Sequence, residues 1–166
     1  LCLYIAHDLE NVIYTYISSQ IDGGLDDAYG DLLDHFMPYV KEKRALLFLK
    51  LKSMSEVFSD EKTCLMEYLV SSLQESVNFS LSIGMLFYLI ERNESELFKE
   101  LFSTLVFEVT EEILLVTLLD VLMAYHQQIG QMEKKSIVSE FLQKKLSKQT
   151  KAKITKVQKN KVIALL

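Results

Sequence analysis

Apolar residues recur every three to four positions along most of this chain, and this spacing constrains the fold more than any other feature. The clearest run is Leu97, Phe98, Leu101, Phe102 and Leu105, which places five large side chains on one helix face. One proline and five glycines in 166 residues leave few positions that would interrupt a helix or supply the turns of a sheet. The pattern therefore predicts an all-α fold with eight or nine antiparallel helices.

Helix boundaries are indicated by residues that favour caps and turns. Asn78, Thr110 and Asn93 are predicted to cap helix starts, Asn93 together with Glu96 in a capping box, and Gly130 is predicted to end a helix. Periodicity and these signals together predict helices over about residues 1–19, 26–37, 41–58, 61–73, 79–90, 94–107, 111–126 and 133–146, and a ninth that runs to Leu166.

The arrangement of these helices has two interpretations. Alternate helix starts lie about 32 to 38 residues apart, a spacing typical of two-helix repeats, so the first interpretation is a HEAT-like α-solenoid segment. The alternative is a closed helical bundle around the segment 79–90, which is apolar nearly all round and must be covered on several sides. In either case residues 1–166 are expected to form one all-helical domain or part of a longer helical-repeat protein.

Cysteine usage and hydropathy bear on the compartment. Cys2 and Cys64 do not make a disulfide framework, and Cys64 stands in an apolar run where a free, buried thiol is expected. No apolar run reaches the roughly 20 residues that cross a bilayer. These features predict an intracellular protein, cytoplasmic or nuclear. Both ends run on without helix-stop signals, so we expect the chain to be part of a longer protein.

No pattern of catalytic residues is evident. The chain has no phosphate-binding glycine loop, no nucleophile elbow and no HExxH metal motif. Asp31 and His35 share a helix face and could supply half of a metal site, but no second pair of ligands accompanies them. Glu111 and Glu112 suit the positive end of a helix dipole better than acid–base catalysis. The sequence predicts no enzyme activity, no cofactor, no metal and no small-molecule substrate.

Charge is divided sharply along the chain. Residues 1–132 hold 8 basic and 21 acidic side chains, a net charge of −13, whereas the predicted basic C-terminal helices over 133–166 hold 10 lysines and 2 glutamates, a net charge of +8. The basic end could contact a polyanion or an acidic protein partner. It has no arginine and only one aromatic residue, so base reading and stacking are unsupported and any DNA contact would be to the backbone. The predicted contact residues are Lys144, Lys145, Lys148, Lys151, Lys153, Lys156, Lys159 and Lys161.

Lysines in such a number also have a simpler explanation. Charged residues on the outer faces of terminal helices keep a surface hydrated and can pair with acidic residues elsewhere in the same chain. The lysines therefore have three possible explanations: they form a hydrated surface, they bind an acidic protein partner, or they bind a nucleic acid.

Three segments carry a resemblance to a known family. The runs SIGMLFYLIERNESELFKELFSTL (82–105), EILLVTLLDVLMAYH (112–126) and KVQKNKVIALL (156–166) are similar to HEAT-repeat segments of chromosome-organising proteins, most nearly the G-type, non-SMC HEAT subunit of condensin. The likeness covers about 50 of the 166 residues, and no part of residues 1–81 matches. It implies a curved solenoid, a kleisin-type peptide partner and DNA held on a basic surface, in a nuclear, chromosome-associated protein.

The functional expectation is a non-enzymatic scaffold module. It would bind a protein partner, either a peptide or a helical segment of a larger complex, and would contact DNA through the lysine-rich surface. The alternative is a helical-bundle regulator or adaptor that accepts an amphipathic helix in a hydrophobic groove. No membrane partner is expected.

Overall fold

The structure, a computed structural model, describes Thr15 and residues 35–54, 56–146 and 154–166. Every regular element in these ranges is helical: seven α-helices and two short 3-10 helices. The all-α prediction is confirmed for this part of the chain. The predicted helix over residues 1–19 and most of the one before Pro38 lie outside the described residues. The chain divides into two compact units, residues 1–69 and 70–166, which are described separately.

The first unit is built on helix α1. A 3-10 helix at Met37–Tyr39, which contains Pro38, leads through Val40 in extended conformation to α1 at Lys43–Ser53. A second 3-10 helix, Glu56–Phe58, precedes α2, which covers Ser59–Glu75 and belongs to this unit as far as Leu69. A small core forms where Val40, Leu46 and Leu49 pack with Phe36 and Met37.

Helix α1 ends five residues earlier than predicted. Met54 has an extended backbone, and its amide donates to the carbonyl of Lys50 at 3.1 Å. The buried ammonium of Lys62 fixes the turn by donating to the Met54 carbonyl and to the Glu56 carboxylate, both at 2.9 Å. The apolar period continues through Phe58 without glycine or proline, so the sequence pattern could not reveal this break.

The second unit contains the rest of α2 and five further helices. These are α3 at Phe79–Arg92, α4 at Ser95–Glu108, α5 at Glu112–Gln128, α6 at Met132–Leu146 and α7 at Lys156–Ile163. Helix α3 packs against α4 and α5, α4 also contacts α5 and α7, and α6 packs against α5.

The core of the second unit is made by leucines and aromatic rings. Phe98 stacks on Tyr125 at 4.1 Å between ring centroids and on Phe102 at 5.6 Å, and all three side chains are buried. Each fully buried Leu or Phe contributes about 1.5–3 kcal/mol relative to an exposed one. Other fully buried members are Leu73, Met85, Leu86, Leu89, Leu101, Leu105, Leu118, Leu119, Leu122, Val138 and Val162.

Two of the predicted boundary residues act as expected. The side chain of Asn78 accepts from the Leu81 amide at 3.2 Å and caps the start of α3. Gly130, with φ of +74°, ends α5 in a conformation that other residues rarely adopt, and the Gln131 amide reaches back to the His126 carbonyl at 2.8 Å. Both boundaries were readable because each rests on a local side-chain or backbone preference.

Asn93 and Thr110 were assigned to the wrong roles. Asn93 ends α3 instead of starting α4: its φ is +60°, and the Glu94 amide bonds to the Leu89 carbonyl at 2.9 Å, as in a Schellman motif. The capping box with Glu96 is absent, because α4 begins after Glu94 without a side-chain cap. Helix α5 likewise begins after Glu111 and not with a Thr110 cap.

Two predicted buried side chains are exposed. Cys64 lies on the solvent side of α2, opposite the buried stripe of Met66, Leu69, Val70 and Leu73, so the expectation of a buried thiol is wrong. The apolar spacing of residues 137–142 also predicts a buried Ile137 on α6; Val138 and Leu142 are buried there, but Ile137 is 48% exposed.

The role of Asn93 can be tested by substitution. Serine is a good helix N-cap but tolerates a positive φ poorly, whereas glycine adopts it freely. We expect Asn93→Ser to lower the free energy of unfolding by about 1 kcal/mol and Asn93→Gly to leave it nearly unchanged. Urea denaturation followed by far-ultraviolet circular dichroism measures both. A neutral effect of serine would restore the N-cap assignment.

Candidate functional site

The predicted contact lysines are only partly within the described structure. Lys148, Lys151 and Lys153 lie outside the described residues, and the side chain of Lys145 is not among those described. The side chains of the other four are described: Lys144, Lys156, Lys159 and Lys161.

These four lysines do not present one common face. Lys144 lies on α6 near Glu140, one turn earlier, with 3.8 Å between its ammonium nitrogen and a carboxylate oxygen. Lys156 and Lys161 are exposed on α7, but five helical residues separate their directions by about 140°. A continuous basic stripe is therefore not formed by the described part of the predicted set.

Lys159 has a structural role. Its ammonium donates to the backbone carbonyl of Phe107, in the last turn of α4. The final carbonyls of a helix lack partners within the helix and carry the negative end of its dipole, so a lysine at this position stabilises the helix end. Lys159 therefore fastens α7 to α4.

The start of α7 is fixed by its own cap and by a second contact to the α4–α5 connection. Thr155 and Gln158 form a reciprocal capping box, with bonds of 3.4 Å to the Thr155 hydroxyl and 2.9 Å to the Gln158 carboxamide. Just before the cap, the Ile154 amide makes a long hydrogen bond of 3.5 Å to the Thr110 carbonyl.

The far end of α7 is held by side chains of α5 and α6. The ring nitrogen Nε2 of His126 lies 2.8 Å from the Leu165 carbonyl, and the Lys134 ammonium donates to the Leu166 carbonyl at 3.2 Å. Between the two ends, Val162 is fully buried. We call these contacts, from Ile154 and Lys159 to His126 and Lys134, the α7 clasp.

His126 is the least ordinary residue of the clasp. Its side chain is fully buried, and because a carbonyl can only accept, Nε2 must carry the hydrogen and Nδ1 is an acceptor. Nδ1 is buried and has no hydrogen-bond partner within the described structure. Burial lowers the pKa of His126 below its ordinary value; the Leu165 carbonyl acts in the opposite direction, and the Lys134 ammonium lowers the pKa further. The neutral ring is the stable form in the folded state.

Exposed apolar side chains lie where α7 meets the α4–α5 connection. Phe107 is 51% exposed, Ile113 65% and Val157 63%. The Lys159–Phe107 and Ile154–Thr110 contacts of the clasp join the chain segments that carry these residues. We call these three residues the junction patch. Two exposed acidic side chains flank the same connection: Glu108, the last residue of α4, and Glu111, just before α5.

Sequence reasoning missed both features. His126 carries no motif that marks it as buried, because its burial depends on α6 and α7, which lie later in the chain. The capping box Thr155-x-x-Gln158 follows a recognisable spacing and could have been found. Nothing in the sequence indicated that the members of the junction patch lie in one region, because they belong to three helices.

The described ranges contain neither a metal-ligand cluster nor a helix suited to crossing a membrane. No group of three His, Cys, Asp or Glu side chains there is placed to hold a metal ion; His35 is described, but its predicted partner Asp31 is not. No helix in those ranges combines the length and hydrophobicity that a bilayer crossing requires.

Comparison of the chain with protein-family models, with curated protein sequences and with solved structures finds no match. The likeness to the condensin HEAT subunit therefore stays a prediction.

The structural role of Lys159 predicts a difference between neighbouring lysines. Lys159→Met keeps most of the apolar stem but removes the donor to Phe107, so we expect the free energy of unfolding to fall by about 1 kcal/mol. Lys156→Met, on the exposed side of the same helix, is the matched control and should change it by less than about 0.5 kcal/mol. Thermal or urea denaturation compares the two. Equal effects would show that the Phe107 contact contributes nothing.

Proposed function

We propose that this chain is a non-enzymatic interaction module that binds an amphipathic helix of a protein partner at the junction patch. The observation that carries the proposal is the exposure of Phe107, Ile113 and Val157, which come from three different helices and are brought to one region by the clasp. Single exposed apolar residues are normal on protein surfaces, but clusters of them mark interaction sites.

The chemistry of the partner follows from the charges beside the patch. Glu108 and Glu111 are exposed next to it. Residues 70–132 hold nine acidic side chains and two basic ones, Arg92 and Lys99. A partner helix with apolar residues at three- and four-residue steps and with lysine or arginine towards the two glutamates would complement this surface. Aromatic anchors such as Phe107 carry a large share of the binding energy in such contacts.

The helix contacts of the second unit support a closed bundle over a HEAT-like solenoid. In a solenoid of helix pairs, each helix meets its hairpin partner and the neighbouring pairs, so α4 would stack on α6. Helix α4 instead contacts α7, which follows two helices later. We propose the closed form for this unit, with α7 packed across the end of α4.

Nucleic acid is the second candidate partner. Lys156 and Lys161 are exposed and available to phosphate groups. Against a strong contact, Lys159 is bound to Phe107 and Lys144 lies near Glu140. The kleisin-type partner, the chromosomal location and the nuclear compartment implied by the condensin likeness have no support beyond that likeness.

A pair of designed peptides tests the protein-binding proposal. The first is a fluorescent amphipathic helix with leucines on one face and lysines elsewhere; the second has glutamates in place of the lysines. We expect the lysine peptide to bind and the combined substitution Phe107→Ser with Ile113→Ser to raise its Kd at least about tenfold, the effect of losing about 1.4 kcal/mol. Fluorescence anisotropy gives both values.

The matched control is Phe87→Ser on α3, which removes a phenylalanine of similar exposure, 43%, outside the patch. None of these substitutions alters the charge, so attraction between a basic peptide and an acidic protein cannot explain a difference between them. Equal Kd values for the double variant and the control, or equal binding of the glutamate peptide, would contradict the proposal.

The nucleic-acid candidate has its own test. If duplex DNA binds through α7, substituting Lys156 and Lys161 with methionine removes two phosphate contacts. The slope of log affinity against log salt concentration then becomes less negative by about 1.8. A salt titration by anisotropy measures the slope. Binding that ignores salt, or an unchanged slope in the variant, would exclude α7 as a DNA contact.

A further inference from the structure

Helix α7 is a short element fastened mainly at its two ends. It has eight residues, and Val162 is the one α7 side chain among the described residues that is buried. An isolated helix of this length is unstable in water, so α7 persists only while it stays docked. Its position therefore depends on a few polar contacts, and a change in any of them affects the whole element.

The contact most open to change is the one at His126. In the neutral ring, Nε2 donates to the Leu165 carbonyl, and Nδ1 faces the interior without a partner in the described structure. Adding a proton would put a positive charge and a hydrogen on Nδ1, which is buried and lies beside no acceptor among the described residues. Undocking of α7 from this end would give the charged ring access to water.

We propose that α7 is an acid-sensitive strap, released from α4, α5 and α6 when His126 takes up a proton. Release would uncover the apolar surface against which Val162 packs. It would also separate Val157 from Phe107 and Ile113, which hold their places on α4 and the start of α5.

The surroundings of His126 reinforce this effect. From α6 the Lys134 ammonium acts on the ring as a like charge, and from the end of α7 the Leu165 carbonyl is the acceptor. On α5 the neighbouring Tyr125 ring lies 5.6 Å away and stacks on Phe98 of α4, the helix that also carries the half-exposed Lys99. No carboxylate in the described ranges offsets the charge of Lys134 at His126.

The direction of the pH effect follows from linkage. The pKa of His126 is lowered while α7 is docked and returns to about 6.5 when the ring is solvated. The undocked form therefore binds the proton more tightly. Docking is strongest above the ordinary histidine pKa and weakens as the pH falls through it, until the lowered pKa of the docked form is passed.

This inference does not depend on the junction patch binding any partner. It concerns the docking of α7 onto its own chain, and its test contains no peptide. If the peptide does not bind, the inference about α7 is unaffected. If α7 docking does not depend on pH, the proposed binding at the junction patch is likewise unaffected.

Hydrogen exchange on the full chain provides the test. Protection factors of the α7 amides are measured between about pH 8 and about pH 5, each divided by the unstructured rate at the same pH, with α3 amides as the internal reference. We expect α7 protection to fall by at most about tenfold per pH unit, the limit for one proton, while α3 keeps its protection. A histidine-selective NMR titration of the same sample locates the midpoint for His126.

Two variants decide the cause. His126→Gln retains a side-chain N–H that can donate to Leu165 but takes up no proton, so its α7 protection should be independent of pH over this range. His35→Gln removes an exposed histidine and should behave as the original chain. If the glutamine at 126 prevents folding, coincidence of the exchange and NMR midpoints in the original chain decides instead.

Three results would overturn the proposal. One is α7 protection that does not change with pH. Another is an identical pH response in His126→Gln and the original chain. The third is a parallel loss of protection in α3 and α7, which would mean that acid unfolds the unit as a whole.

Discussion

The stacking of Phe98 on Tyr125 fixes α4 against α5, and the rest of the second unit is arranged around it. The two rings lie 4.1 Å apart with an angle of 11° between their planes, and both are buried. Because successive helical residues point about 100° apart, placing Tyr125 in the α4 interface turns His126 towards a different neighbour. The last turn of α4 carries the Phe107 carbonyl that accepts from Lys159. The two helices joined by the aromatic stacking therefore each carry one of the contacts that hold α7.

The lysines of the basic segment illustrate how a charge pattern is used within a fold. Lys159 and Lys134 both donate to backbone carbonyls near the ends of helical segments, at Phe107 and Leu166. At Phe107 a flexible side chain from α7 satisfies an acceptor that the last turn of α4 leaves open. Part of the basic character of residues 133–166 therefore serves the chain itself. The exposed lysines, such as Lys156, are what remains for a partner.

The fold class followed from the sequence because a helical period is a local property. The stripe from Leu97 to Leu105 and the boundaries at Asn78 and Gly130 depend on residues within one or two turns, so the pattern alone identified them. Asn93 was misassigned because asparagine suits both a helix start and a positive φ, and only the tertiary path selects between them. The early end of α1 depends on Lys62, eight positions after Met54.

The candidate site was hidden from sequence reasoning for a related reason. Phe107 follows Ser103 and Thr104 at helical spacing, off the stripe from Leu97 to Leu105, but nothing in the sequence shows that Ile113 and Val157 lie in the same region. His126 is buried by contacts with residues up to 39 positions later in the chain. The lysine cluster could be recognised from composition, so the positive charge of this segment was predictable. The hydrogen bond of Lys159 to Phe107 depends on the folded position of α4, so it could not be predicted from the sequence.

Attachment of α7 at two separate places has a kinetic consequence. When one end detaches, the other keeps the freed end close to its binding position, so the effective local concentration is high and reattachment is an intramolecular step. Brief openings of either end should therefore be frequent and self-correcting, whereas complete departure requires both to be open at once. A competing molecule would replace α7 most readily from one end inward. The rate of this replacement would therefore depend more on the order in which the contacts of α7 break than on their summed strength.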